Sequence, residues 1–207
     1  MECVILAAGS SRRLGRDKAL IDVGSETLIS WVSQRLSGLV TNITIVANEG
    51  NFGEISNIVT EANVVLNPNP DKGRTGSLKV GIASIDSSRK EDYRLLVVPV
   101  DRPGFSDSTL ELLIDSEETC CPMKDGRGGH PLALTSEDVE KIRKSSPNLP
   151  LREVIETRKF EVSDRFLQLN IDTPEDIREL SEKLQCVNEE TRNARFWSRY
   201  CERRRSI

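Results

Sequence analysis

Apolar residues fall along the chain in two alternating patterns: short unbroken runs, and stretches in which they return every third or fourth position. The first pattern suits a strand buried on both faces, and the second one face of a helix. Cys3 to Ala7 reads as the first strand, followed by Leu28, Ile29, Val32 and Leu36 at helical spacing. Ile43 to Ala47 and Val64 to Leu66 read as further strands, and Leu78, Ile82 and Ile85 share a helical face between Gly73 and Ile85. Arg94 to Val100 is a strand that ends at Asp101.

Beyond it, Ser106 to Ile114 reads as a helix with polar residues at its start, and Pro131 to Leu134 as a strand. A helix from Ser136 to about Lys144, a short helix over Leu151 to Glu156 and a last strand over Phe166 to Ile171 follow. Thr173-Pro174-Glu175-Asp176 has a threonine cap, a proline in the first turn and an acid three residues on, predicting a helix to about Leu184. Strands alternating with helices predict a three-layer α/β/α sandwich around a mostly parallel sheet. No internal repeat or low-complexity linker interrupts it, so one domain is expected over residues 1–186, with a short extension over 187–207.

Composition narrows the class. With 207 residues, 37% hydrophobic and 30% charged, the chain has an ordinary soluble globular profile. A net charge of −4 argues against a protein that coats nucleic acid through its overall field. The longest strongly apolar run, Leu95 to Val100, falls far short of the roughly 20 residues that cross a bilayer. No basic segment followed by a hydrophobic region opens the chain, so neither a membrane partner nor a secretory signal is expected. Cys3, Cys120, Cys121, Cys186 and Cys201 are odd in number and scattered without a CxxC spacing, which reads as reduced thiols in a cytoplasmic protein.

The candidate chemistry begins at residues 6 to 20, LAAGSSRRLGRDKAL, which leave the first strand at its carboxyl end. Open α/β sheets bind ligands at that edge. The loop lacks the Gly-Lys-Ser/Thr of a Walker motif and the later glycines of GxGxxG. Ala7, Ala8, Gly9, Ser10 and Ser11 are small enough for the backbone to approach a ligand and aim amides at oxyanions. Arg13 and Lys18 add full charges, one as a fork and one as a point. A solvated basic loop is the plainer alternative.

LAAGSSRRLGRDK resembles the signature of nucleotidyltransferases with a GT-A-like fold, L-A-A-G-x-S/G-x-R-M/L-G followed by a lysine. Within that superfamily the chain is most similar to the molybdenum-cofactor guanylyl- and cytidylyltransferases, the MobA-like NTP transferases. Asn67 to Ser77 (NPNPDKGRTGS), Pro99 to Pro103 (PVDRP), Gly128 to Pro131 (GGHP) and Asn170 to Asp176 (NIDTPED) carry the likeness on, so that it spans about residues 1 to 185.

The resemblance implies a Rossmann-like sheet of the GT-A type. It also implies an enzyme in which an acceptor oxygen attacks the α-phosphorus of a nucleoside triphosphate, GTP or CTP, and pyrophosphate leaves. The acceptor would be a small phosphorylated or cofactor-precursor molecule such as molybdopterin. Arg13, Lys18 and Asp101 would carry catalysis, with Arg13 and Lys18 on the triphosphate. Leu6, Ala7, Ala8, Gly9, Lys18, Asn67, Gly76, Ser77 and Asp101 would hold the nucleotide, and His130 and Asn170 the acceptor. Mg²⁺ would sit on Asp101, with Asp172 as second ligand and Asn170 as its rival. Each has a plainer reading: Asp101 as a strand-end turn former, Asp172 as a cap beside Thr173, Gly76 and Ser77 as loop punctuation, and His130 as a turn residue. Arg127 and Arg152 are further candidates for an anionic acceptor, although their spacing does not establish it. Asp71, Lys72 and Arg74 are more charged than the resemblance leads one to expect.

Two other readings stand beside this one: a sugar-phosphate or other small-metabolite nucleotidyltransferase, and a catalytically silent nucleotide-binding protein. The resemblance ends before Arg192, Arg195, Arg199 and Arg203, which recur at helical intervals around Phe196, Trp197 and Tyr200. That basic helical extension reads as a surface helix packed on the domain, a protein-partner site or an RNA-contacting arm.

Overall fold

The computed structural model describes residues 1–11 and 13–188; the arginine-rich extension from 189 onward lies outside the described residues. Strand β1 (Glu2–Leu6) leads into the opening loop and a short hairpin, β2 (Asp22–Val23) with β3 (Glu26–Thr27). Helix α1 (Leu28–Leu36) starts at Thr27, whose side chain accepts a hydrogen bond from the Ser30 amide. Strand β4 (Ile43–Ala47), helix α2 (Phe52–Ile58), strand β5 (Asn63–Leu66) and helix α3 (Gly73–Ser88) complete the first half. The second half opens with β6 (Leu95–Pro99), α4 (Asp107–Asp115), β7 (Cys120–Lys124) and β8 (Arg127–Gly128). It continues through β9 (Leu132–Leu134), α5 (Ser136–Lys144), β10 (Arg158–Glu161) and α6 (Pro174–Arg178).

The main sheet runs β10-β7-β9-β6-β1-β4-β5, with β8 paired to β7. Strands β5, β4, β1 and β6 are mutually parallel, β10 is parallel to β7, and β9 runs antiparallel to both of its neighbours. The unbroken apolar runs follow from burial of both faces. Cys3 and Ile5 point into the core under α1, whereas Val4 points into the core under α3 with Leu78, Ile82 and Ile85. Leu96 and Val98 of β6 join the first core, and Leu95 and Val97 the second. Helix α3 lies so close to the sheet that a Cβ on Gly81 would stand 2.9 Å from the Val4 methyls. The result is the mostly parallel sheet flanked by helices that the pattern predicts.

Three expectations need correction. Phe166 to Ile171 is not a strand: the Leu169 amide closes a turn on the Phe166 carbonyl at 2.8 Å, and only the Ile171 amide reaches the β6 side, at Asp101 O, 3.0 Å. Its apolar residues, Leu167 and Ile171, are instead anchored one by one in the core. Leu151–Glu153 is a single 3₁₀ turn. The helix after Thr173 breaks at Glu179 and resumes over 180–188, burying Leu180, Leu184 and Val187.

Helix α2 and strands β7 and β10 have no counterpart in the pattern. Only Ile55 of α2 is buried, β7 contains a proline, and β10 (RKFE) is a charged edge strand of the kind that discourages further pairing. Among the described residues no helix is long and apolar enough to cross a membrane.

Candidate functional site

From β1 the chain adds β4 and β5 on one side, then returns to place β6 on the other. That reversal is where open α/β sheets form ligand crevices. Leu6 pairs with Pro99, and the Val100 amide donates to Leu6 O at 3.1 Å, so the loops after β1 and β6 leave the sheet side by side. A cavity of about 610 Å³ lies over this edge, lined by the opening loop, by Gly73, Arg74 and Ser77 at the start of α3, and by the Pro99–Arg102 turn, Asn170 and Asp172. A second cavity, about 800 Å³, adjoins it through Ala8, Ser10, Ser11, Asp17 and Pro70.

The opening loop folds back on itself. Ser11 has a positive φ of 48°, a conformation that costs a non-glycine residue energy, and it accepts the Lys18 amide at its Oγ, 3.1 Å. Asp17 secures the return: Oδ1 accepts the Ala19 amide and Oδ2 the Asn51 side-chain amide, each at 2.9 Å. Asn51, fully buried, also donates to Ala7 O at 2.9 Å, and Asn48 donates to Gly9 O at 3.3 Å. Burial pushes the Asp17 carboxyl above its ordinary range, against the hydrogen bonds from Ala19, Asn51 and Asn48. These three residues were not singled out in the sequence. The available signal is their position: Asn48 and Asn51 follow β4 at the same sheet edge.

The loop delivers Lys18 into the middle of the cavity. Its Nζ donates to Asp101 Oδ2 at 3.3 Å and to Asp172 Oδ1, a still closer contact. Arg13 pairs with Asp172 Oδ2 at 3.0 Å, and the Asn170 amide donates to the same oxygen at 2.5 Å. The Lys18 hydrogen bond, with help from Asn170 and the charges of Lys18 and Arg13, holds the Asp172 carboxyl below its ordinary range despite partial burial. Lys18, Asp101 and Asp172 are no more than about one-fifth exposed, whereas Arg13 is 73% exposed, so its ion pair is the weakly stabilising surface kind.

Two carboxylates therefore converge on one cationic position. Hard oxygen donors in that number, completed by phosphate oxygens and water, match magnesium coordination. No cluster of three or more acidic, His or Cys ligands exists among the described residues. The residues present fit an ion shared with a substrate rather than one caged by protein alone.

Of the other residues marked in the sequence, Leu6, Ala7, Ala8, Gly9 and Ser77 line the first cavity. Asn67 lines the second; it is buried, donates to Ser77 Oγ at 3.0 Å and accepts the Asn69 amide at 2.9 Å. Gly76 lines neither, because it faces Lys72 and Pro147, where a Cβ would meet Lys72 Cβ at 2.7 Å. Arg127 and Arg152 are exposed and line neither cavity.

His130 also sits behind the cavity wall. Burial, then the charges of Arg74 and Arg102, pull its pKa down to about 4, with Asp101 opposing. Arg74 and Arg102 themselves line the cavity. In the PVDRP stretch the sequence pattern marks Asp101 and not Arg102, although the place of Arg102 beside Asp101 is a usable signal.

A family described as "MobA-like NTP transferase domain" matches residues 3–165. A molybdenum cofactor guanylyltransferase of Xanthomonas euvesicatoria is 32% identical over 124 residues, covering 59% of this chain and 58% of that protein. One from Shewanella piezotolerans is 26% identical over 197 residues, covering 89% and 93%. The chain thus spans somewhat more than half the length of some curated relatives and nearly all of another. Rv0371c from Mycobacterium tuberculosis shares the fold, with a TM-score of 0.70 at 21% identity over 87% of this chain and 96% of that one. A second crystal structure of Rv0371c is a complex with manganese, at a TM-score of 0.66 and 19% identity over 87% and 97%.

Proposed function

The chain belongs to the MobA-like NTP transferase family, and on that footing we propose that it transfers a nucleoside monophosphate from GTP or CTP to a small phosphorylated or cofactor-precursor acceptor such as molybdopterin. A phosphate oxygen of the acceptor attacks the α-phosphorus, the bond from that phosphorus to the α,β-bridging oxygen breaks, and pyrophosphate leaves. We assign this activity to residues 1–186, with the 187–207 extension as an accessory.

The observation that carries the reading is Lys18, drawn into the crevice between β1 and β6 and gripped by both Asp101 and Asp172. A phosphate acceptor is already ionised, so the chain need supply no general base; its work is positioning and charge neutralisation. Released from the carboxylates, Lys18 neutralises the triphosphate together with Arg13. The backbone of Ala7 to Gly9 and the buried Asn67 side chain hold base and ribose toward the adjoining cavity. Asp101 and Asp172 would hold magnesium, with Asn170 fixing the Asp172 carboxylate by its amide. When bound, that ion offsets negative charge on the phosphate oxygens.

The Asp172 carboxyl, held below its ordinary range chiefly by the Lys18 hydrogen bond, is ionised at neutral pH, the form in which a carboxylate binds a cation. A silent nucleotide binder has no need of both the basic loop and the carboxylate pair, since only groups acting on the transition state accelerate chemistry. The reading is tested by incubating the protein with each labelled triphosphate, magnesium and a panel of phosphorylated acceptors that includes molybdopterin. Pyrophosphate release is expected with GTP or CTP. Nucleotide binding without pyrophosphate from any pair would overturn the proposal in favour of the silent binder.

A further inference from the structure

The cations that line the cavity fall into two sets. Arg13 and Lys18 are matched by carboxylates. Arg74 and Arg102 face the same space from the start of α3 and from the turn after β6, and among the described residues neither has a carboxylate within ion-pair distance. Neither side chain makes a hydrogen bond among the described residues. Behind them lies His130, close enough for both guanidinium charges to act on it.

Unpartnered atoms gather at the same place. Of the buried side-chain nitrogens and oxygens without a hydrogen-bond partner among the described residues, two are Arg102 Nε and His130 Nδ1. Arg89 Nε and Arg94 Nε have the same status, but those guanidiniums are satisfied through their other nitrogens by Glu2 and by the carbonyls of Leu113, Ile114 and Ser116. Arg102 has no such compensation. Buried donors left unmade are costly, and two guanidiniums facing one cavity without an anion repel.

We infer that Arg74, Arg102 and His130 form the recognition site for the phosphate group of the acceptor, distinct from the Arg13 and Lys18 cations that serve the triphosphate. This deepens the proposed function and rests on it. Guanidinium forks match phosphate geometry with paired N–H donors, and two forks suit a dianionic phosphate monoester better than a monoanionic carboxylate. Because Arg102 follows Asp101 directly, a phosphate held there lies beside the carboxylate pair, where the acceptor oxygen must be to meet the α-phosphorus. Arg102 and Arg74 are thus specificity residues for the acceptor.

The test uses the full chain with magnesium and the α,β-methylene analogue of GTP or CTP filling the triphosphate site, and phenyl phosphate as the acceptor probe. His130 is the single histidine of the chain, so its ring resonances in an NMR spectrum report occupancy without assignment. Saturable binding of phenyl phosphate with displacement of the His130 signals is expected, and benzoate should bind more weakly. Arg102→Gln and the exposed Arg74→Gln should each weaken phenyl phosphate about tenfold while leaving affinity for the nucleotide analogue nearly unchanged.

An unmoved His130 signal, benzoate binding as tight as phenyl phosphate, or an equal loss of nucleotide affinity in the arginine variants would each overturn the inference, the last by giving these cations to the triphosphate. Because Arg74 is exposed, its variant remains informative if Arg102→Gln does not fold. Wild-type protein that binds no nucleotide but still binds phenyl phosphate would overturn the transferase reading instead, so the two failures are distinguishable.

Discussion

Two sets of cations face the cavity and differ in how their charge is balanced. Lys18 and Arg13 are held by Asp101 and Asp172, a partly buried network completed by Asn170. Arg74 and Arg102 have no carboxylate partner among the described residues and lie near a histidine kept neutral by burial and by their charges. The paired set is preorganised: its members already point at one another, and a ligand needs only to exchange partners. The unpaired set leaves charge that an incoming anion would balance. Under the proposed function, preorganisation would serve chemistry and the unpaired charge would serve selection of what enters.

The largest expected effect tests the paired cations. Lys18→Ala should lower the rate of pyrophosphate release by two to three decades, the ~2.7–4 kcal/mol typical of one well-aimed donor at developing charge. Asp101→Ala should remove magnesium-dependent turnover altogether while the circular dichroism spectrum stays native. Turnover at the wild-type rate in either variant would erase the distinction between the two sets, since the network would then be only structural.

Next in size is the clamp beneath the loop. Asn51→Ala removes the side chain that donates to both Asp17 and Ala7 O inside the core. Asp17 then keeps a half-buried carboxyl with fewer donors, and unfolding free energy should fall by about 1–3 kcal/mol. Chemical denaturation measures it; an unchanged midpoint would mean the loop is held by its own turn at Ser11 and needs no anchor.

The last test sharpens the account of the unpaired cations. The His130 imidazole has a pKa of about 4 when folded against an ordinary 6.5, so as pH falls through that window the unfolded chain takes up a proton that the folded chain refuses. Stability attributable to His130 is complete above the ordinary value and declines toward the folded one. His130→Asn should therefore flatten the fall in denaturation midpoint across that range, and parallel curves for variant and wild type would show the imidazole to be unperturbed.

Much of the frame was legible before the structure because it is written locally. The apolar run Cys3 to Ala7 and the run ending at Asp101 carry both buried faces of their strands, and the cap at Thr173 announces its helix within four residues. The charged edge strand β10 and the proline-bearing β7 left no such mark, since an edge needs no apolar run on both faces. The segment 166–171 misled for the converse reason. Its apolar residues are spaced like a strand's, but Leu167 and Ile171 serve as separate anchors, and the Phe166 backbone lies so close to Gly104 that a Cβ there would stand 1.8 Å from Phe166 O.

Sequence alone determined that strands and helices alternate, that a basic loop follows the first strand and that a carboxylate ends the strand before Pro103. It also marked Lys18, Asp101 and Asp172 as separate candidates through the resemblance they carry. Only the tertiary structure decided that β6 lies against β1, that the Ile171 amide draws Asp172 to the Asp101 turn, and which cations are paired and which are not. Periodicity and capping act over one or two turns of chain, whereas Lys18 meets partners 83 and 154 residues away. Contacts at that separation are set by which faces of the sheet must be buried, and nothing within a local window of the chain records them.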